Sequence, residues 1–208
     1  MHDPRACAKD WGMRRKSTIA ALFGMGAALT LLTTTPAVAS TEATAAGGSA
    51  VIARGTFEPY RPGATAITYN QELARPGSRA TVVAFPAPNN GTRVVLLTQG
   101  LVPHREYGAH AHVNACGATG AAAGPHYQNV VDPKPGTSTD PAYANPRNEI
   151  WLDFTTDREG NGFAMTTVPW RFTDRHAGSV VIHEHHTHTD PGHAGQAGDR
   201  LACITVPF

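Results

Sequence analysis

Neither charge is in excess in this 208-residue chain, in which 17 basic residues stand against 16 acidic ones for a formal balance of +1. That removes the electrostatic footprint of a nucleic-acid or anionic-membrane binder. With 41% hydrophobic residues, the chain is also too apolar and too weakly charged to be wholly disordered. No internal repeat is present. No amphipathic helical stretch of useful length follows residue 50. Cysteines number only three, too few for a multiply cross-linked scaffold. What the chain does have is histidine, eleven of them in a sequence with only 16% charged residues. The length suits one domain, or a domain plus a processed segment.

Residues 1–16 carry Arg5, Lys9, Arg14, Arg15 and Lys16, residues 19–32 are apolar (IAALFGMGAALTLL), and Ala37-Val38-Ala39 follows. Basic, apolar and small-residue regions in that order predict a secretory signal peptide over residues 1–39. The apolar run falls short of the roughly 20 residues that cross a bilayer as a helix, which disfavours an uncleaved anchor. Arg14-Arg15 leaves the twin-arginine and general export routes both open. Export to the extracellular space or the cell envelope is expected, and no lipobox cysteine precedes the cleavage point.

Without residues 1–39 the basic count falls by five to 12 and the acidic count by two (Asp3 and Asp10) to 14, a balance near −2. Cys7 leaves with the same segment. Cys116 and Cys203 remain, and in an oxidising compartment they most simply form one disulfide, two buried thiols being the alternative. The loop between them is 203 − 116 = 87 residues, for which chain entropy gives about 4–5 kcal/mol.

Residues 40–50 (STEATAAGGSA) are small and polar, a flexible leader. The domain proper is expected over residues 51–208. Short β-rich runs are predicted at 51–57, 65–69, 79–85, 93–98, 107–113, 149–155, 163–172, 179–183 and 201–206, punctuated by Pro and Gly clusters. Many short strands at regular spacing argue an all-β sandwich or barrel. Residues 157–162 (DREGNG) predict a hairpin turn. Residues 114–148 form a long segment rich in Gly, Ala, Pro and Asn, and loops of that length usually carry function.

His110 and His112 are two apart in a predicted strand, so both imidazoles share one face. His126 opens the long loop and His183 ends an apolar run. Three or four imidazoles suit copper or zinc, and spacing alone does not choose between them. Taken by itself, the His-x-His pair is as readily two ordinary strand histidines.

Residues 100–103, then Tyr107-Gly108-Ala109-His110-Ala111-His112 and Cys116, resemble the copper/zinc superoxide dismutase family. Gly124-Pro125-His126-Tyr127 is similar to that family's bridging-histidine segment, and Ser179-Val180-Val181-Ile182-His183-Glu184 to the strand with its last copper ligand. Gly195-Gln196-Ala197-Gly198-Asp199-Arg200-Leu201-Ala202-Cys203 closely resembles its closing motif, the most specific of the four. The likeness extends over residues 93–206. Residues 51–90 fit only as generic early strands.

The resemblance implies a Greek-key β-sandwich or barrel of about eight strands with two long active-site loops. It assigns His110, His112, His126 and His183 as copper ligands, His126 also as a proton carrier. Arg200 becomes the guanidinium that attracts superoxide, and Cys116–Cys203 the disulfide tying the first loop to the Arg200 segment. Arginine's permanent charge and planar donor fork suit a small anion. The zinc half does not carry over. Residues 127–148 contain no histidine, only Asp132 and Asp140. The family's Asp pair after the last copper ligand is missing too, with Thr187 and His188 near that place. The chain therefore resembles a copper-only branch.

Without zinc, the second nitrogen of His126 needs another partner, for which Glu149 and Asp153 are candidates. Residues 183–193 (HEHHTHTDPGH) hold five histidines. Such tracts can bind metal, and His185, His186, His188 and His193 are candidates for copper capture or a substitute metal site. The implied activity is an exported, copper-dependent superoxide dismutase. The alternative is a non-catalytic copper carrier on the same fold, because fold alone does not establish activity.

Overall fold

The computed structural model describes residues 50–134 and 136–208. The predicted signal peptide, Cys7 and nearly all of the expected leader lie outside the described residues. Among the described residues, nine strands make two antiparallel sheets. They are β1 (Val51–Thr56), β2 (Ala66–Thr68), β3 (Arg79–Ala87), β4 (Gly91–Gln99), β5 (Glu106–His112), β6 (Phe154–Thr155), β7 (Gly162–Val168), β8 (Ser179–His183) and β9 (Arg200–Thr205). One sheet has the order β1-β3-β4-β7, the other β2-β9-β8-β5-β6. The pairings of β4 with β7 and of β5 with β8 join non-consecutive strands, which gives the sandwich its Greek-key pattern.

Alternation in sequence explains the first sheet. Along β3, Ala80, Val82 and Ala84 are buried between half-exposed neighbours, and β4 sends Val94 and Leu96 inward in the same way. These side chains meet Tyr107, Ala109, Ala111, Val180, Ile182, Leu201 and Ile204 of the second sheet in one core. Each large apolar side chain fully buried there contributes about 1.5–3 kcal/mol.

The second sheet is buried on both faces. In β5 the odd-numbered residues Tyr107, Ala109 and Ala111 point to the core, so His110 and His112 point to the opposite face. That face would meet water in a bare sandwich, yet both imidazoles have no exposed surface. Loops cover it. A single 3-10 turn, Gly120–Ala123, sits over β8 and β9, where Ala123, Val181 and Cys203 form a small second apolar cluster. Covering this face requires close approach at Gly108, where a Cβ would lie 2.5 Å from the carbonyl oxygen of His185 and 2.8 Å from Ala197.

The predicted strand over 149–155 shrinks to two residues. Glu149 and Trp151 make only isolated bridges, to Gln128 and His110, and the polar side chains of this stretch turn toward the site instead. The turn predicted at 157–162 is present. Asp157 caps it through the backbone N–H groups of Glu159 and Asn161. Among the described residues, no helix is long and apolar enough to cross a membrane.

Candidate metal centre

Four histidines converge on the covered face of the second sheet. His110, His112, His126 and His183 each offer a ring nitrogen, and these atoms all lie within 4.8 Å of one another. The register explains how. His110 and His112 are successive outward positions of β5, and β8 places His183 opposite Gly108, one step along from His110. His126 arrives from the long loop through a bridge to His112.

The hydrogen bonds fix which nitrogen of each ring faces the centre. His112 Nδ1 donates to the carbonyl of Gly124 at 2.9 Å and His183 Nδ1 to that of Gly198 at 3.4 Å. Carbonyls only accept, so both rings carry their lone pair on Nε2. Those two Nε2 atoms stand 3.3 Å apart, two acceptors facing each other with no proton between them. His126 Nδ1 donates to Glu149 Oε2 at 2.8 Å, leaving its Nε2 free. His110 is reversed. Its Nε2 donates to Thr187 Oγ1 at 2.7 Å, and its Nδ1 is buried with no partner. An unpartnered buried nitrogen costs free energy unless something supplies the missing contact. Four converging lone pairs with their opposite nitrogens tied back is the arrangement of a metal ligand set, and the cluster can hold a metal ion.

Electrostatics agree with neutral rings. Burial pushes His110 and His112 well below the ordinary histidine range, helped by their neighbours in the cluster. His183 is lowered to about 3, first by burial and then by His126. Neutral imidazole is the form that ligates metal.

Glu149 meets His126 and is almost wholly buried. Its Oε2 also accepts from Trp151 Nε1 at 2.7 Å and its Oε1 from Gln128 Nε2 at 2.8 Å. Asp153 serves a different histidine. Its Oδ1 accepts from Thr187 Oγ1 at 2.6 Å and its Oδ2 from the Thr187 backbone at 2.8 Å. Asp132 and Asp140 cap turns of their own loop, through Lys134 and Ser138 and through Ala142 respectively.

Arg200 lies opposite His183 in the β8–β9 register, and its charge contributes to lowering His110, His112 and His183. Its Nη1 donates to the carbonyl of Gly120 at 2.7 Å. Burial lowers its own pKa, from a starting point high enough that it stays charged. It borders an open depression of about 450 Å³ with Gly124, Pro125 and Thr137. A larger depression of about 560 Å³, between Leu97, Asp157 and Phe163, is remote from this chemistry.

Cys116 and Cys203 form a disulfide, with Cα atoms 5.7 Å apart. Among the loop histidines, His186 turns back to the sandwich and donates to the Phe154 carbonyl at 3.0 Å. His185, His188 and His193 lie together on the outer side. Of the supporting contacts, only that of Glu149 with His126 is among those the sequence suggests. Carbonyls such as those of Gly124, Gly198 and Gly120 have no residue signature, and Gln128, Trp151 and Thr187 acquire their roles only through folding.

No known family model and no curated protein matches the chain. Among solved structures it is similar to the crystal structure of the clock protein EA4, at 16% identity and a TM-score of 0.47, over 76% of this chain and 92% of that one. A likeness of that size carries no functional argument.

Proposed function

We propose that this chain is an exported copper-dependent superoxide dismutase of the copper/zinc superoxide dismutase family, working without zinc. The observation that carries the reading is the four-histidine cluster with a half-buried arginine beside it. The donor set fits copper: three Nε2 atoms and one Nδ1, with the orphaned Nδ1 of His110 among them. Copper, when bound, would supply one-electron cycling between Cu(II) and Cu(I), which converts two superoxide anions and two protons into oxygen and hydrogen peroxide.

The protein's own groups do the rest. Arg200 spends one N–H on Gly120, and the remaining donors of its fork are available to orient a small anion in the depression it borders. Its fixed positive charge steers that anion inward even though the domain as a whole is slightly acidic. His126 keeps its Nδ1 proton against Glu149, so the nitrogen that can gain and lose a proton is Nε2, on the cluster side. The carboxylate of Glu149 thus takes the place of a second metal as the group that orients His126. Export is supported by the disulfide and by the signal-peptide pattern of residues 1–39.

The test is superoxide consumption by protein loaded with copper alone and freed of unbound metal, beside Arg200→Ala. The expected result is copper-dependent turnover that falls at least tenfold in the variant. Tight copper binding without turnover would replace this reading with that of a copper carrier.

A further inference from the structure

The loop between β8 and β9 carries three histidines that the buried cluster does not use. His185 Nδ1 donates to the carbonyl of His186 at 3.0 Å. His193 Nδ1 donates to the side-chain oxygen of Gln196 at 3.2 Å. His188 Nδ1 faces Asp190 Oδ1 at 3.5 Å. A carbonyl and an amide oxygen are both acceptors, so His185 and His193 carry the proton on Nδ1 and the lone pair on Nε2. One such contact is commonplace. Two on one loop, with the Asp190 carboxylate near the exposed ring of His188 between them, resemble the outer-shell pattern that orients metal-bound histidines.

The spacing agrees. The rings of His185 and His188 are 5.2 Å apart between centroids, and those of His188 and His193 are 6.2 Å apart. Two imidazoles bound through nitrogen to one ion, with bonds of about 2.0–2.1 Å, have centroids roughly 5 to 6 Å apart. The loop is not a loose tail. His185 and His188 donate their backbone N–H groups to Ala197 and Gln196, and Gly195 donates back to His188. His188 and His193 are exposed and free to turn about their side-chain bonds. His185 is half-buried, its Nε2 packed against Gly198, where a Cβ would stand 2.8 Å away.

We propose that His185, His188 and His193 form a second, surface metal site that takes a borderline divalent ion of the imidazole-binding class, Cu(II) or Zn(II), with Asp190 beside it. His186 is not part of it, being tied to Phe154. The site is separate from the buried cluster and does not depend on what reaction that cluster supports. Its position is suited to supplying metal inward, because the same loop contacts the buried site: a Cβ on Gly195 would lie 3.7 Å from the His126 ring.

The test is Cu(II) and Zn(II) stoichiometry of the full, disulfide-bonded chain by equilibrium dialysis. It compares wild type, His188→Ala/His193→Ala and His110→Ala/His112→Ala. The expected result is loss of one equivalent in the loop variant. That equivalent should persist in the strand variant, where Zn(II) should also shift the imidazole NMR signals of His185, His188 and His193. Equal stoichiometry of wild type and the loop variant overturns the proposal. Loss of metal only in the strand variant does so as well, while leaving the buried site intact. Should the strand variant fail to fold, the loop comparison decides alone, since His188 and His193 are solvent-exposed.

Discussion

Asp153 fixes the tautomer of His110 through the hydroxyl of Thr187. The hydroxyl donates its proton to Asp153 Oδ1 at 2.6 Å and must therefore accept from His110 Nε2, 2.7 Å away. His110 Nδ1 is left as the lone pair at the centre of the cluster. Two oxygens on separate segments decide which atom of a strand histidine faces the cluster.

Thr187→Val should break that chain while keeping the volume, and leave His110 free to place a proton on Nδ1. The expected result is a fall of about 10- to 100-fold in metal affinity, with an altered ligand-field spectrum of the copper-loaded protein. Thr187→Ser should restore both, since it keeps the hydroxyl. Unchanged affinity and spectrum in the valine variant would assign Thr187 to packing alone.

Glu149→Gln tests the other oriented ring. The buried carboxylate accepts from His126, Trp151 and Gln128, and an amide would point its NH2 at one of those donors. The mismatch should cost about 1–3 kcal/mol of folding stability. His126 should at the same time become a weaker ligand. Chemical denaturation and metal titration check the two effects separately, and an unaffected titration would show that Glu149 is structural only.

Much of this arrangement is legible in the sequence because it rests on short-range periodicity. The i, i+2 spacing of His110 and His112 puts both on one face of any strand, and Pro and Gly punctuation marks where β3 and β4 end, whereas the run predicted over 163–172 stops at Val168, before Pro169. His126 and His183 stand out by their places at a loop start and a strand end, and the resemblance to a known family adds Arg200. The division of labour between Glu149 and Asp153 was not legible. Both lie in a segment whose polar alternation predicts a strand, whereas its residues spend their hydrogen-bonding capacity on the site and only Phe154 and Thr155 pair regularly. Thr187 is invisible in sequence for another reason. Its role exists only where the β8–β9 loop folds back over β5.

Acidification should destabilise the metal-free chain well above the carboxylate range. His183 titrates at about 3 in the fold against 6.5 when unperturbed, and His110 and His112 are lowered too. The unfolded chain therefore binds more protons than the folded one below pH 6.5. Stability is complete above 6.5 and is lost progressively as pH falls toward 3. Each histidine kept neutral costs about 1.4 kcal/mol per pH unit in that window. A urea midpoint that drops between pH 7.5 and 5.5 is expected, with a shallower drop in His183→Gln. A midpoint insensitive to pH would mean that the rings protonate without unfolding.

Reduction of Cys116–Cys203 should affect anion handling as well as stability. The bond closes an 87-residue loop, and its loss should cost about 4–5 kcal/mol by chain entropy. Its position adds a local effect. Cys203 follows Arg200 by three residues in β9, and Cys116 precedes by four the Gly120 whose carbonyl holds the guanidinium. The disulfide thus joins the two segments that position Arg200. Cys116→Ser/Cys203→Ser, assayed at a temperature where it remains folded, should keep its metal, because none of the four clustered histidines is a disulfide partner. Under the proposed activity, its turnover should depend less steeply on salt than that of the intact protein, because the guanidinium is no longer held in place. If the variant instead keeps full salt-dependent turnover, the Gly120 contact alone is enough to hold Arg200, and the disulfide serves stability only.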